Sequence, residues 1–124
     1  FEILETERIL QGILNNPDPI MVRPPYGSVS PTIRNTFPKV YVNWDVDSND
    51  WDADTPESVC NEIYNTAQNN SIVLMHDLYE NTIKGFECAV ERLSADGYQF
   101  VSVDTLLKAN GIIPQEGNIY FSGR

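Results

Sequence analysis

Side chains able to do acid–base chemistry occur in three short groups along the chain. Arg23 and Tyr26 flank a pair of prolines, five aspartates lie within positions 45–54, and His76 is followed by Asp77. An imidazole exchanges protons near neutral pH, and a neighbouring carboxylate can hold its positive charge. A guanidinium stays charged and binds carboxylates through paired hydrogen bonds. If folding brings these groups together, they have the parts of a general acid–base site.

Each group also has an ordinary structural interpretation. His76 is the only histidine, and a lone histidine at a strand end is more often a hydrogen-bonded structural residue. The acidic stretch over 45–54 is predicted to be a loop, since Asp and Asn favour turns. Its spacing Asp45-x-Asp47-x-Asn49 also resembles a calcium loop, but the glycine required at the sixth position is absent. Trp51 is equally compatible with a core position, because aromatic residues usually pack inside.

Helices and strands are predicted to alternate around these groups. Helices are indicated over 1–16, from a Ser30 cap, from a Thr55 cap to residue 68, up to Gly97, and from an Asp104 cap to residue 109. The helix before Gly97 is expected to pack through Ile83, Phe86, Val90 and Leu93. Strands are indicated over 20–22, 40–44, 71–75 and 100–103. This alternation predicts an α/β fold with about four parallel strands, in which all three polar groups open onto one face.

Composition limits the classes of partner. The 124 residues carry a formal net charge of -10 and have a sequence pI near 4.3. Nucleic acids and anionic membrane surfaces need clustered Lys and Arg, so both are disfavoured as partners. The sequence contains no run of about 18 apolar residues, the length that would predict a membrane span. A neutral or cationic partner, such as a sugar polymer, fits better.

The two cysteines give no framework that can be read from their spacing. Cys60 and Cys88 each fall in a predicted helix and do not match a zinc-binding pattern. We therefore expect buried free thiols, and their redox state stays open at this point.

Three segments together resemble motifs of the polysaccharide deacetylases, the NodB-like carbohydrate esterase family 4. Residues 23–27, Arg-Pro-Pro-Tyr-Gly, are similar to the third motif of that family. Residues 47–51, Asp-Ser-Asn-Asp-Trp, resemble the fourth, and residues 72–77, Ile-Val-Leu-Met-His-Asp, resemble the fifth. The tail over 97–122 is similar to the end of bacterial members, so the resemblance covers the chain from about Ile9 onward.

The resemblance implies only part of a catalytic domain. Residues 1–124 would form the C-terminal half of a distorted (β/α)7-type barrel. The family's first motif, Asp-Asp-Gly-Pro, and its second, His-x-x-x-His, are absent. They supply the catalytic base and the ligands of a divalent metal, with zinc expected, so the implied partner is an N-terminal half and this chain would hold no metal ligand. A two-chain product, a proteolytic nick and a truncated chain all fit this reading.

The resemblance also implies catalytic roles in removing N-acetyl groups from an amino-sugar polymer. His76 would be the acid that protonates the leaving nitrogen. Asp50, with Asp47 as the alternative, would hold the charge on His76. Arg23 would orient the catalytic aspartate of the N-terminal half.

Three further residues would bind the substrate. The backbone N–H of Tyr26 would donate to the oxyanion, while Trp51 and Leu74 would line a small pocket for the acetyl methyl group. Peptidoglycan N-acetylglucosamine is the favoured substrate, with chitin oligomers and acetylated xylan as alternatives. Because these polymers lie outside the cell, an extracellular or cell-surface location is implied.

A second class of function stays open. The chain could be a metal-free carbohydrate-binding fragment, or a fragment that only completes a barrel, with no activity of its own. The isolated chain is predicted to be inactive in either case. Because its parallel strands would have open apolar edges, we also expect it to be poorly soluble or partly unfolded without its partner.

Overall fold

The computed structural model describes residues Phe1–Arg124 and divides them into two units. The first comprises residues 1–42 and 114–120, and the second comprises 43–113 and 121–124. The helices are α1 (Glu2–Leu14), α2 (Pro31–Thr36), α3 (Pro56–Thr66), α4 (Glu80–Ala95) and α5 (Val103–Ala109). The strands are β1 (Tyr41–Val42), β2 (Val46–Asp47), β3 (Val73–Leu74) and β4 (Ile119–Tyr120). The predicted α/β class is confirmed, although the strands are shorter than expected and two of them lie elsewhere.

The first unit holds α1, α2 and a two-stranded parallel sheet. Strand β1 pairs with β4, with Tyr41 opposite Ile119, so the tail forms a strand that the pattern did not indicate. The predicted strand over 20–22 is reduced to a single parallel bridge between Val22 and Tyr41. Helix α2 begins as predicted, because the Ser30 hydroxyl accepts the N–H of Ile33 at 3.2 Å.

The second unit holds a parallel sheet made of β2 and β3. Val46 lies opposite Val73, and Asp47 lies opposite Leu74. The expectation of a continuous loop over 45–54 was therefore wrong. Val46 is the only apolar residue between two aspartates, so no alternating pattern marks the strand. Val46 is only 2% exposed, so a single buried side chain is enough to hold this short strand against β3.

The core of the second unit lies between α3 and α4. Val59, Cys60 and Ile63 of α3 pack against Ala89 and Leu93 of α4. Helix α3 begins as predicted, since the hydroxyl of Thr55 accepts the N–H of Ser58 at 3.2 Å. The two helices approach closely at Gly85, where an added Cβ would lie 2.6 Å from the Cβ of Val59. A side chain larger than hydrogen at this position would push the helices apart.

The face by which α4 packs differs from the predicted one. Ile83 and Phe86 are about half exposed, and the buried residues are Thr82, Gly85, Ala89 and Leu93. Small residues form the packed face of α4 because they allow α3 to approach closely. The larger side chains of Ile83 and Phe86 would keep the two helices apart if they lay between them. The apolar periodicity therefore identified Leu93 correctly but misplaced the other three contact positions of α4 by one residue. None of the five helices combines the length and apolar character needed to cross a membrane.

The predicted strand over 100–103 does not form. Phe100 and Val101 are about half exposed and belong to no strand. Helix α5 then begins at Val103, and its cap is Ser102, whose hydroxyl accepts the N–H of Thr105 at 3.2 Å. Asp104, expected as the cap, instead lies in the first turn. A strand needs a partner edge, and no strand of the second unit is paired with this segment.

The two cysteines form a disulfide that joins α3 to α4. Cys60 and Cys88 are bonded, with a Cα–Cα distance of 5.7 Å, and no free cysteine remains. The expectation of free thiols was wrong, because sequence spacing does not show that two helices face each other. A disulfide between facing helices restricts the unfolded chain and holds the core of this unit together.

Replacing both cysteines with serine is expected to lower the free energy of unfolding by about 3 to 4 kcal/mol, because the bond closes a loop with a sequence separation of 28. Denaturant unfolding of the oxidised protein and of the Cys60→Ser, Cys88→Ser variant measures the difference. Reduced wild-type protein is the control and should resemble the variant. Equal stability of oxidised protein and variant would show that the disulfide does not stabilise this fold.

Candidate active site

Asp50 and His76 form a hydrogen-bonded pair in the second unit. Asp50 Oδ1 lies 2.9 Å from Nδ1 of the His76 ring, and Asp50 Oδ2 accepts the backbone N–H of His76 at 2.6 Å. Asp50 is 2% exposed, whereas about a third of the His76 side chain is exposed. A proton on Nδ1 is therefore directed at the carboxylate, and Nε2 makes no hydrogen bond within the chain. The pair thus holds one ring nitrogen and leaves the other available for proton transfer.

Local backbone geometry delivers Asp50 to this position. Parallel pairing directs the N–H of Ser48 to the carbonyl of Leu74 at 3.3 Å, so the loops after β2 and β3 leave the same edge of the sheet. Asn49 then adopts a left-handed conformation, with φ 51°, which asparagine tolerates. Asp47 accepts the N–H of Asn49 at 3.0 Å and closes the turn. Of the two aspartates considered for His76, the structure therefore places Asp50 beside it and uses Asp47 in the turn.

A third residue, which the sequence analysis missed, contacts the same carboxylate. Thr82 lies in the first turn of α4, and its hydroxyl donates to Asp50 Oδ2 at 2.8 Å. Thr82 is 2% exposed. A threonine near a helix start is usually read as a surface or capping residue. The signal that could have found it is its place on the same helix face as Gly85, Ala89 and Leu93, since a polar residue on a buried face needs a partner.

Opposing effects set the protonation of Asp50. Burial by itself raises the pKa of this carboxyl group. Hydrogen bonds from the His76 ring, the His76 backbone and the Thr82 hydroxyl outweigh burial, so the pKa of Asp50 lies below its ordinary value. Asp50 is therefore ionised at neutral pH and can hold a protonated imidazole.

Apolar and aromatic side chains occur next to the pair. Trp51 follows Asp50 directly and is 60% exposed, while Leu74 is buried in β3. The ring of Tyr79, which the sequence analysis also missed, meets the His76 ring edge to face at a centroid distance of 6.5 Å. An exposed tryptophan presents a flat apolar face to solvent, which suits the ring of a sugar. The expected roles of Trp51 and Leu74 in an acetyl pocket stay predictions.

Arg23 and Tyr26 belong to the first unit. Arg23 is exposed and makes no ion pair within the chain. Tyr26 is fully exposed and has φ 56° and ψ 18°, an uncommon conformation for a residue other than glycine. The turn is closed by N–H groups of Gly27 and Ser28, which donate to Pro24 and Pro25. Strain of this kind often accompanies a functional loop, and the meeting of these residues with His76 stays a prediction.

The calcium-like spacing has a structural explanation. Asp45 accepts the backbone N–H of Ile72 at 2.8 Å through Oδ1. Its Oδ2 contacts the Ser71 hydroxyl at 3.2 Å and the guanidinium of Arg124. Asp45 therefore fastens β3 and the C-terminus of the chain. No group of three or more His, Cys, Asp or Glu side chains is arranged to hold a metal ion.

Comparison with known proteins decides the family. No protein-family model matches the chain. It is similar to the peptidoglycan-N-acetylmuramic acid deacetylase PdaC of Bacillus subtilis (strain 168), with 30% identity over 105 residues, which are 85% of this chain and 22% of PdaC. It also matches the solved structure of the T48 deacetylase with substrate, with a TM-score of 0.85 and 30% identity over 96% of this chain. The chain belongs to carbohydrate esterase family 4. The resemblance inferred from the three motifs is confirmed.

The chain spans only part of its family 4 relatives. It covers 58% of the T48 deacetylase chain and 60% of a family 4 acetyl xylan esterase from Clostridium thermocellum, to which it is similar with a TM-score of 0.86 and 26% identity. That esterase was solved in complex with a cobalt ion. Residues of the present chain do not fit a comparable site, since no metal-binding cluster exists in it.

Proposed function

We propose that this chain is the acid-supplying, C-terminal half of a metal-dependent deacetylase that removes N-acetyl groups from an amino-sugar polymer. The observation that carries the proposal is the buried Asp50, which holds His76 by its Nδ1 edge and leaves Nε2 available. Both residues lie at positions that match motifs of carbohydrate esterase family 4. Peptidoglycan N-acetylglucosamine is the proposed substrate, and chitin oligomers and acetylated xylan are the alternatives.

The chain's part of the reaction is proton delivery. Hydrolysis adds water to the acetamide carbonyl and then breaks the C–N bond. An amine anion is a poor leaving group, so the nitrogen must take a proton as the bond breaks. His76 gives that proton from Nε2, and the product amine and acetate depart. Asp50 binds the Nδ1 edge of the ring, so the proton delivered to the substrate leaves from Nε2.

Residues of the other motifs complete the proposed site. Arg23, which has no ion-pair partner in the chain, orients a catalytic aspartate on the N-terminal half. The backbone N–H of Tyr26 donates to the oxyanion, where fixed donors contribute most. Trp51 and Leu74 accept the acetyl methyl group, and the exposed face of Trp51 contacts the sugar.

A cleft in the second unit supports an N-terminal half as the partner. The cleft has a volume of about 710 Å³, and its lining includes Val73, Met75, Phe100 and Val101. Strand β3 pairs only with β2, and the segment at 100–101 is paired with no strand. An additional apolar strand in this cleft would cover these side chains and could pair with the open side of β3. We propose that the N-terminal half supplies that strand and so completes the barrel.

The apolar face of α1 supports the same proposal independently. This helix buries none of its residues, and Ile9, Leu10, Ile13 and Leu14 on its apolar face are all exposed. An amphipathic helix gains most of its stability from packing its apolar face, so α1 is expected to have a further partner.

A divalent metal and a location outside the cell complete the proposal. A divalent metal, with zinc expected, would be held by ligands on the N-terminal half and would polarise the acetyl carbonyl. The Cys60–Cys88 disulfide supports an extracellular or cell-surface location, because disulfides persist in oxidising compartments. The polymers named above also lie outside the cell.

The direct test measures acetate release. The chain is mixed with a polypeptide that carries the family's first two motifs, and each polymer is supplied in turn. Neither polypeptide alone should release acetate, and the mixture should act fastest on peptidoglycan. A mixture that binds the polymer without releasing acetate would overturn the proposal in favour of a metal-free carbohydrate-binding fragment.

A charge placed in the cleft should prevent assembly. Val101→Asp is expected to weaken association with the N-terminal half at least 100-fold, because docking would bury an unpaired carboxylate. Ile113→Asp is the matched control, since Ile113 is also exposed but lies outside the cleft. Calorimetric titration measures both affinities. Equal affinities for the two variants would show that the cleft is not the docking site.

A further inference from the structure

We propose that Thr82 is a positioning residue for the acid, which holds the Asp50 carboxylate in the orientation that keeps His76 aligned for proton transfer. The proposal rests on the proposed deacetylase function and assigns to it a residue outside the three motifs.

The hydrogen bonds around Asp50 carry the inference. Oδ2 accepts two donors, the backbone N–H of His76 at 2.6 Å and the Thr82 hydroxyl at 2.8 Å, while Oδ1 is left for the His76 ring at 2.9 Å. A carboxylate rotates about its bond to Cβ unless donors fix both oxygens. Two donors from different elements on Oδ2 set this rotation, so that Oδ1 faces Nδ1. Without the hydroxyl, only the backbone N–H of His76 would restrain Oδ2.

Two other helical threonines of the same chain behave differently. Thr36 donates its hydroxyl to the carbonyl of Thr32 at 2.8 Å, and Thr66 donates to the carbonyl of Glu62 at 2.6 Å. This bond to the carbonyl four residues earlier is the usual outcome for a helical threonine. Thr82 directs its hydroxyl to Asp50 instead. Its side chain is therefore committed to the acid pair and not to its own helix.

The surroundings of Thr82 hold it firmly in place. Its N–H donates to the carbonyl of Tyr79 at 3.1 Å, and Gly85, one turn later, lies against α3. The neighbouring Asn81 donates its side-chain amide to the carbonyl of Ala53 at 3.0 Å, which ties the start of α4 to the turn that contains Asp50. The Thr82 hydroxyl and the Asp50 carboxylate are thus held near each other, because α4 is bonded to the turn that contains Asp50.

Three variants test this role. Thr82→Val removes the hydroxyl but keeps the shape of the side chain, whereas Thr82→Ser keeps the hydroxyl. Thr66→Val is the matched control, because the Thr66 hydroxyl bonds only its own helix. The first readout is a carbon NMR titration of the Asp50 carboxyl in the purified protein. In Thr82→Val the pKa of Asp50 should rise relative to wild type, because one of the bonds that lower it is lost. Thr82→Ser should restore the wild-type titration, and Thr66→Val should not move it. No shift in Thr82→Val would overturn the proposal.

The second readout is acetate release by the assembled enzyme. In Thr82→Val, kcat should fall roughly tenfold with KM nearly unchanged, and Thr82→Ser should recover most of the loss. Unchanged kcat, or an equal loss in Thr82→Ser, would show that the hydroxyl does not position the acid. If wild-type protein releases no acetate, the proposed function fails, but the carboxyl titration still decides whether Thr82 holds Asp50.

Discussion

His76→Ala should reduce kcat of the proposed two-part deacetylase by roughly 100- to 10,000-fold, which is the range usual for loss of a general acid or base. The physical reason is that no other titratable side chain is hydrogen-bonded to Asp50. Water would have to protonate the departing nitrogen in its place. Metal content should not change, because His76 is not expected to be a ligand. Acetate release and metal analysis on the same preparation measure both effects.

The matched control for this variant is Tyr79→Phe. Tyr79 contacts the His76 ring edge to face, and phenylalanine preserves that contact while removing only the hydroxyl. Its kcat should stay close to wild type, so that a loss in His76→Ala is assigned to the imidazole and not to the neighbouring phenol hydroxyl. Near-normal turnover in His76→Ala would rule out His76 as the acid. A loss of metal in this variant would instead indicate a role as a ligand.

Asp50→Asn should cause the second-largest loss, and it should affect both turnover and stability. The carboxylate accepts three hydrogen bonds, whereas an amide of the same shape offers one oxygen and turns a donor toward one of the existing donors. One buried donor is left unpaired, which costs about 1 to 3 kcal/mol in the free energy of unfolding. The charge on His76 also loses its partner, so kcat should fall by roughly 100-fold or more. Denaturant unfolding and acetate release measure the two losses.

Asp52→Asn is the control for Asp50→Asn, because Asp52 lies in the same turn but is exposed and bonds neither His76 nor Thr82. It should leave turnover and stability near wild-type values. Combining Asp50→Asn with His76→Ala should cost little more turnover than His76→Ala alone, since the two residues act as one unit. Additive losses would show that Asp50 acts on catalysis by a route other than His76.

The Asp50 carboxylate should also affect how the free energy of unfolding changes at acid pH. The pKa of Asp50 is lowered in the folded state, so its contribution is fully present above the unfolded value of about 3.9 and is lost as pH falls through the lower, folded value. The Asp50→Asn variant lacks this contribution. Its stability should therefore decline less steeply below about pH 4 than that of wild type. Parallel acid profiles of the two proteins would contradict the lowered pKa.

Features governed by neighbouring residues could be predicted from the sequence. The caps at Ser30 and Thr55 were predicted correctly, because each depends on a hydroxyl and an N–H three residues later. From the sequence, the carboxylate partner of His76 could be limited to Asp50 or Asp47. The turn geometry at Asn49 places Asp50 beside the ring. The motif resemblance identified the family because its three segments occur in the right order.

Features that depend on distant partners could not be predicted. The Cys60–Cys88 bond needs the knowledge that α3 and α4 face each other, and the buried face of α4 is set by how closely they approach at Gly85. The strand expected at 100–103 has suitable residues but no partner within its unit. The role of Thr82 could not be predicted, because the hydrogen bond from its hydroxyl to Asp50 joins residues 32 positions apart in the sequence.

The most decisive measurement is native mass and metal analysis of the protein after it is mixed with the N-terminal half. The half-barrel proposal predicts that the 14.0 kDa chain is found in a larger particle with that second polypeptide and about one divalent metal ion per pair. A metal-free 14.0 kDa monomer that melts cooperatively and ignores the second polypeptide would contradict it.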